Sequence, residues 1–169
     1  MIPTRNEYVL FDFTHPEARP WLSIDDTVMG GVSNSAMRID NGRAVFAGVV
    51  SLDFGGGFAS VRSNPGSWDL SAFTGIEARL CGDGRRYKLV LKSDAGLDGV
   101  NWQAPFQTRC NEHQMMRIPF QDLAPVYRGS RVSNAPPFDA RRIATFGFLI
   151  SDKQAGPFRL EIERIAAYY

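Results

Sequence analysis

Hydrophobic side chains recur at every second position through most of this chain, and no other feature narrows its architecture so far. In Arg86–Lys92, Tyr87, Leu89 and Leu91 share one face, while Arg86, Lys88 and Lys92 share the other. Ile76, Ala78 and Leu80 alternate with Glu77 and Arg79; Phe158, Leu160 and Ile162 alternate with Arg159, Glu161 and Glu163. Such strands lie between a core and water, the habit of antiparallel sheets. Residues 146–150 are apolar on both sides and predict a central strand covered on both faces. Further strands are expected at 8–13, 36–39, 44–52, 58–63, 102–108 and 114–118. Asn41-Gly42 is a hairpin signal, because both residues tolerate positive φ. Asp83-Gly84 is expected to play the same part before the Tyr87 strand. Helical patterning is confined to one turn near Phe120–Leu123, after Pro119. About ten short strands with glycine-rich turns and minimal helix predict an all-β fold, a jelly-roll β-sandwich.

The 169 residues suit one domain, 1–169, and a fold of this length buries roughly 70% of its unfolded surface without help from a disulfide or metal. Residues 128–137 form the longest irregular stretch and read as a loop over one end of the sandwich. Lysine and arginine number 19 against 18 acids, a net charge of +1. That balance argues against nucleic acid as a partner, since such affinity rests on a basic surface. Arg128, Arg131, Arg141 and Arg142 then read as a solvated rim. The N-terminal residues lack the apolar run of a signal peptide and the bias of a transit peptide. No uncharged stretch is long enough to cross a bilayer. The expected address is the cytoplasm, where Cys81 and Cys110 would be free thiols.

Catalytic signatures are mostly missing. His15 and His113 have no Cys, His or carboxylate at metal-ligand spacing, so no metal or cofactor is expected. Ser33 lacks the second glycine of a nucleophile elbow. Gly55-Gly56-Gly57 is not followed by the Lys-Ser/Thr of a phosphate loop. Asp25, Asp26, Asp53, Asp94, Asp98 and Asp152 read as turn-capping residues, although a glycosidase could use two carboxylates across a cleft. The expectation is a binding domain, not an enzyme.

Five segments are too particular for plain scaffolding: DDTVMGGVS (25–33), GGGFASVRS (55–63), GDGRRY (82–87), IPFQDLAPVYRGSR (118–131) and GFLISDKQAGPF (147–158). In these the chain closely resembles the complex I intermediate-associated protein 30 family. The resemblance runs from about Trp21 to the last strand and implies a galactose-binding-like sandwich. It also implies an assembly factor that holds intermediates of respiratory NADH:ubiquinone oxidoreductase. The family supplies no enzymatic residues to carry across.

Two binding functions follow. The first is a chaperone-like assembly factor with a protein partner, reaching a membrane only peripherally, through a membrane complex. The second is a carbohydrate-binding module, in which Trp102-Gln103 and the Asp152-Lys153-Gln154 loop would stack and flank a sugar. Candidate binding residues are Asp25, Asp26, Arg62, Trp102, Gln103, Tyr127, Arg128, Asp152, Lys153 and Gln154, with Phe54 as a further anchor. For each aromatic, core packing is the competing role.

Overall fold

The computed structural model describes residues 7–25, 30–94, 96 and 99–169. Its strands, in chain order, are β1 (Glu7–Asp12), β2 (Leu22–Asp25), β3 (Asn34–Asp40), β4 (Arg43–Val50), β5 (Ala59–Arg62), β6 (Gly75–Cys81) and β7 (Arg86–Lys92). There follow β8 (Asn101–Gln107), β9 (His113–Pro119), β10 (Ala124–Tyr127), β11 (Ser130–Arg131), β12 (Thr145–Ile150) and β13 (Gly156–Tyr168). Helix among the described residues amounts to two single 3-10 turns, Asp53–Gly55 and Phe120–Asp122. The strands form two antiparallel sheets. One is ordered β3-β4-β13-β6-β9, with β1 also on β13; the other is β11-β10-β8-β7-β12-β5-β2.

The period of two builds the core. Tyr87, Leu89 and Leu91 of β7, Phe146, Phe148 and Ile150 of β12, and Leu160 and Ile162 of β13 are all 0% exposed. They meet between the sheets with Phe46, Ile76 and Leu80. The one polar atom on Tyr87 is satisfied, because its hydroxyl donates to Asp83 Oδ1 at 2.9 Å. Burial, reinforced by the Asp83 charge, pushes that phenol far above its ordinary range. As expected, β12 is central, between β7 and β5. Its outward Leu149 is only half-buried, so the strand is covered fully on one side alone.

One hairpin expectation holds and two local expectations are corrected. Asn41-Gly42 does close a two-residue hairpin, with φ of 50° and 75°. Asp83-Gly84 does not: β6 and β7 belong to different sheets, so this turn carries the chain across the sandwich. Residues 128–137 begin with the tight β10–β11 hairpin, in which Tyr127 pairs with Ser130. The edge strands β2 and β11, and β10 beside β11, are too short to show alternation, and Pro125 inside β10 disguises it further. No helix among the described residues is long and apolar enough to cross a membrane.

Candidate functional site

Alternation gives the seven-stranded sheet a second face, turned away from the core. Its register sets side chains in rows across the strands. One row runs Ala124, Gln103, Val90, Gly147, Arg62 and Leu22. The next runs Pro105, Lys88, Leu149, Ser60 and Ile24. Six strands at ordinary spacing make this face about 24 Å wide. Val90, Lys88, Leu149, Ser60, Arg62 and Ile24 are half-buried. The surface therefore has an apolar middle, Val90 and Leu149, set among cations and amides.

Arg62 donates from Nη1 to the carbonyl of Gly96, 3.1 Å away, in the connection between β7 and β8. Burial lowers its pKa and the Asp94 charge partly opposes that shift. The same carbonyl accepts from Lys92 Nζ at 2.6 Å. Lys92 is 1% exposed and lies 3.8 Å from Asp94 Oδ1. This buried lysine is a feature that sequence reading missed, for it continues the polar side of an alternating strand and nothing local reveals the cover above it. Gln103, opposite Val90 in the register, is fixed by donating to Asn101 Oδ1 at 2.7 Å.

One end of the same face carries Asp152, which pairs with Lys88 at 3.2 Å and Arg86 at 3.5 Å. Asp152 and Lys153 are consecutive non-glycine residues at φ of 62° and 57°, a costly arrangement that persists only when its surroundings hold it. Gln154 does the holding. Its amide copies a strand residue, accepting from Arg86 N at 2.9 Å and donating to Arg86 O at 2.7 Å. Arg85 clamps the same loop by donating to the carbonyls of Gln154 and Ala155. Gln154 is thus committed to the loop, whereas the side chain of Lys153 is exposed.

The remaining candidates fall elsewhere. Asp25 Oδ1 accepts from Ser35 Oγ at 2.5 Å and from Ser60 N at 3.2 Å, stitching the two sheets together. Asp26 lies outside the described residues. Tyr127 and Arg128 occupy the β10–β11 tip at the far edge of the sheet, with the guanidinium 5.3 Å from the ring centre. Trp102 points inward, 9% exposed, and packs edge-on against Phe138. It is a core residue, out of reach of anything on the sheet face. Phe54 is 79% exposed at a left-handed φ of 56°, on the turn between β4 and β5. Four of the five singled-out segments converge at this end. Ala59 pairs with both Asp25 and Ile150, Gly156 pairs with Val50, and Gln154 bonds Arg86.

A two-sheet antiparallel sandwich with one half-buried face is the architecture of galactose-binding-like domains, and solved structures of that class superpose on it. A family 11 carbohydrate-binding module from Clostridium thermocellum, solved with a β-1,3-1,4-mixed-linked tetrasaccharide, aligns with a TM-score of 0.70 and 19% identity over 98% of this chain and 96% of that one. The family 11 module of the cellulase Lic26A-Cel5E aligns at 0.72 and 18%, over 98% and 96%. At such identities they establish the fold. The family follows from sequence: residues 11–162 match the model of complex I intermediate-associated protein 30, and the chain belongs to that family. An uncharacterized protein of Schizosaccharomyces pombe is 29% identical over 86% of this chain and 76% of its own length. A probable mitochondrial complex I intermediate-associated protein 30 of Caenorhabditis elegans is 28% identical over 57% of this chain, a match spanning only 29% of that protein.

Proposed function

We propose that this chain is a non-catalytic, chaperone-like assembly factor that holds an incomplete subunit of a multi-subunit complex, with a respiratory NADH dehydrogenase as its target. The observation that carries this reading is the outer face of the seven-stranded sheet. Val90 and Leu149 form an apolar middle, Arg62, Lys88 and Gln103 surround it, and all five are half-buried. Apolar centres ringed by arginine and amide groups suit protein partners, whose affinity concentrates in a few such anchors. Shielding is the mechanism: a preformed surface covers the subunit until its next neighbour arrives. The work takes place in the cytoplasm, with contact to a membrane only through the complex being built. A sugar on this same face would lack the indole platform expected of it, because Trp102 is turned into the core.

The test pairs two measurements on Arg62→Ala. Loss of this one charge-assisted bond to a carbonyl should cost about 1.5–3 kcal/mol and leave the protein folded. Recovery of respiratory-complex subunits by affinity capture should fall about tenfold if the arginine is an anchor. A large loss of stability with unchanged capture per folded molecule would make Arg62 structural and end this proposal.

A further inference from the structure

At the opposite end of the sandwich the sheets part around a cleft of about 500 Å³, bounded by the β1–β2 connection and the segment that follows β5. The volume lies within the usual range for small-ligand sites. Its floor is aromatic. Phe11 and Trp68, both half-buried, lie 5.9 Å apart and present the rings, while Trp21, 7% exposed and stacked on Phe148, closes the floor from the core side, edge-on to Phe11 at 5.0 Å. Neither indole N–H is given to a protein acceptor, and neither is sealed away from solvent. The rim is polar and unengaged: the exposed side chains of Glu17, Arg19 and Asn64 make no hydrogen bond or ion pair with the protein.

We infer that this cleft binds a carbohydrate of mono- or disaccharide size, independently of the protein-binding face. Aromatic rings take the apolar C–H side of a pyranose, and hydroxyl groups both donate and accept. The rim supplies both complements. Arg19 and the two indoles only donate, Glu17 only accepts, and the Asn64 amide does both. With Arg19 set against the carboxylates of Asp12 and Glu17, the lining is close to charge balance and suits a neutral ligand better than a strongly charged one. The site is also built. Gly66 lies against Trp68 so closely that an added Cβ would stand 2.6 Å from the ring, which fixes the indole at the wall of the cleft.

The chain has three tryptophans, which supply an internal control. Trp21 and Trp68 line the cleft, whereas Trp102 on β8 stands three strands from β5, about 14 Å away. The experiment titrates ¹⁵N-labelled protein with D-glucose, D-galactose or a β-1,4-linked glucose disaccharide, up to about 50 mM, because weak sites bind in the millimolar range. The expected result is that the Trp21 and Trp68 indole signals move with at least one sugar while Trp102 stays still. Arg19→Ala and Asn64→Ala, both on the exposed rim, should weaken that binding about tenfold without changing the melting temperature. Indole signals that remain still with all three sugars would overturn the inference. So would shifts confined to Trp102 and the outer sheet face, which would place the sugar there, or rim variants that bind as tightly as the parent.

Discussion

At the scale of single residues, backbone geometry and burial decide what each position tolerates. Gly30 holds φ at 87° with no atom within 4 Å of where a Cβ would sit, so the cost of a side chain there is purely conformational. Gly30→Val should cost about 1–3 kcal/mol and lower the melting temperature by several degrees. An unchanged melt would show that the turn relaxes freely. The sequence marks the Gly30-Gly31 pair as a sharp bend but does not say which glycine carries it; the structure assigns the left-handed conformation to Gly30. Glu77 offers a pH test. It is 4% exposed and 2.9 Å from Arg117, and burial together with the hydrogen bond that protonated Glu77 donates to the Glu7 carboxylate raises its pKa from 4.5 despite that arginine. A raised carboxyl holds its proton more tightly folded than unfolded, so stability from this group is greatest at low pH and declines as pH rises through the window above 4.5. Urea midpoints of Glu77→Gln should fall less than those of the parent across that window. Parallel curves would show that Glu77 does not titrate differently on folding.

Among elements, the alternating strands were the most legible, because one face of each must enter the core and a period of two records it directly. Legibility ended where a strand lies at an edge or a turn changes sheets. Pro125 breaks the look of β10, and Asp83-Gly84 carries the same local signal as a hairpin while joining strands that do not pair. The candidate site was legible as residue types, less so as directions: Arg62 and Gln103 do share the outer face, whereas Trp102, adjacent to Gln103, faces the opposite way by the same alternation. Gln154 illustrates the limit differently, since its partner Arg86 is 68 residues away. Gln154→Ala should remove the bonds to both backbone groups of Arg86, costing about 1–3 kcal/mol. Faster amide exchange at Arg86, with Asp152 released from its cations, is the expected signature; unchanged exchange would mean that Arg85 holds the loop alone.

For the whole molecule, one core joins two sheets whose exposed faces differ in character. The outer face of the six-stranded sheet is laced with ion pairs, including Arg117–Glu77, Arg164–Glu7 and Arg43–Glu161. The other sheet carries the apolar middle around Leu149. An assembly factor that works by shielding should depend on the second face and be indifferent to the first. The most direct measurement compares two charge variants for subunits recovered with the folded protein, quantified by mass spectrometry. Leu149→Arg puts a cation in the middle of the proposed surface, and Arg38→Glu reverses an exposed charge on β3. Leu149→Arg, still cooperatively folded, should lose the respiratory NADH dehydrogenase subunits, while Arg38→Glu should recover them at the parental level. Full recovery by Leu149→Arg, or loss confined to Arg38→Glu, would contradict a shielding role for this face.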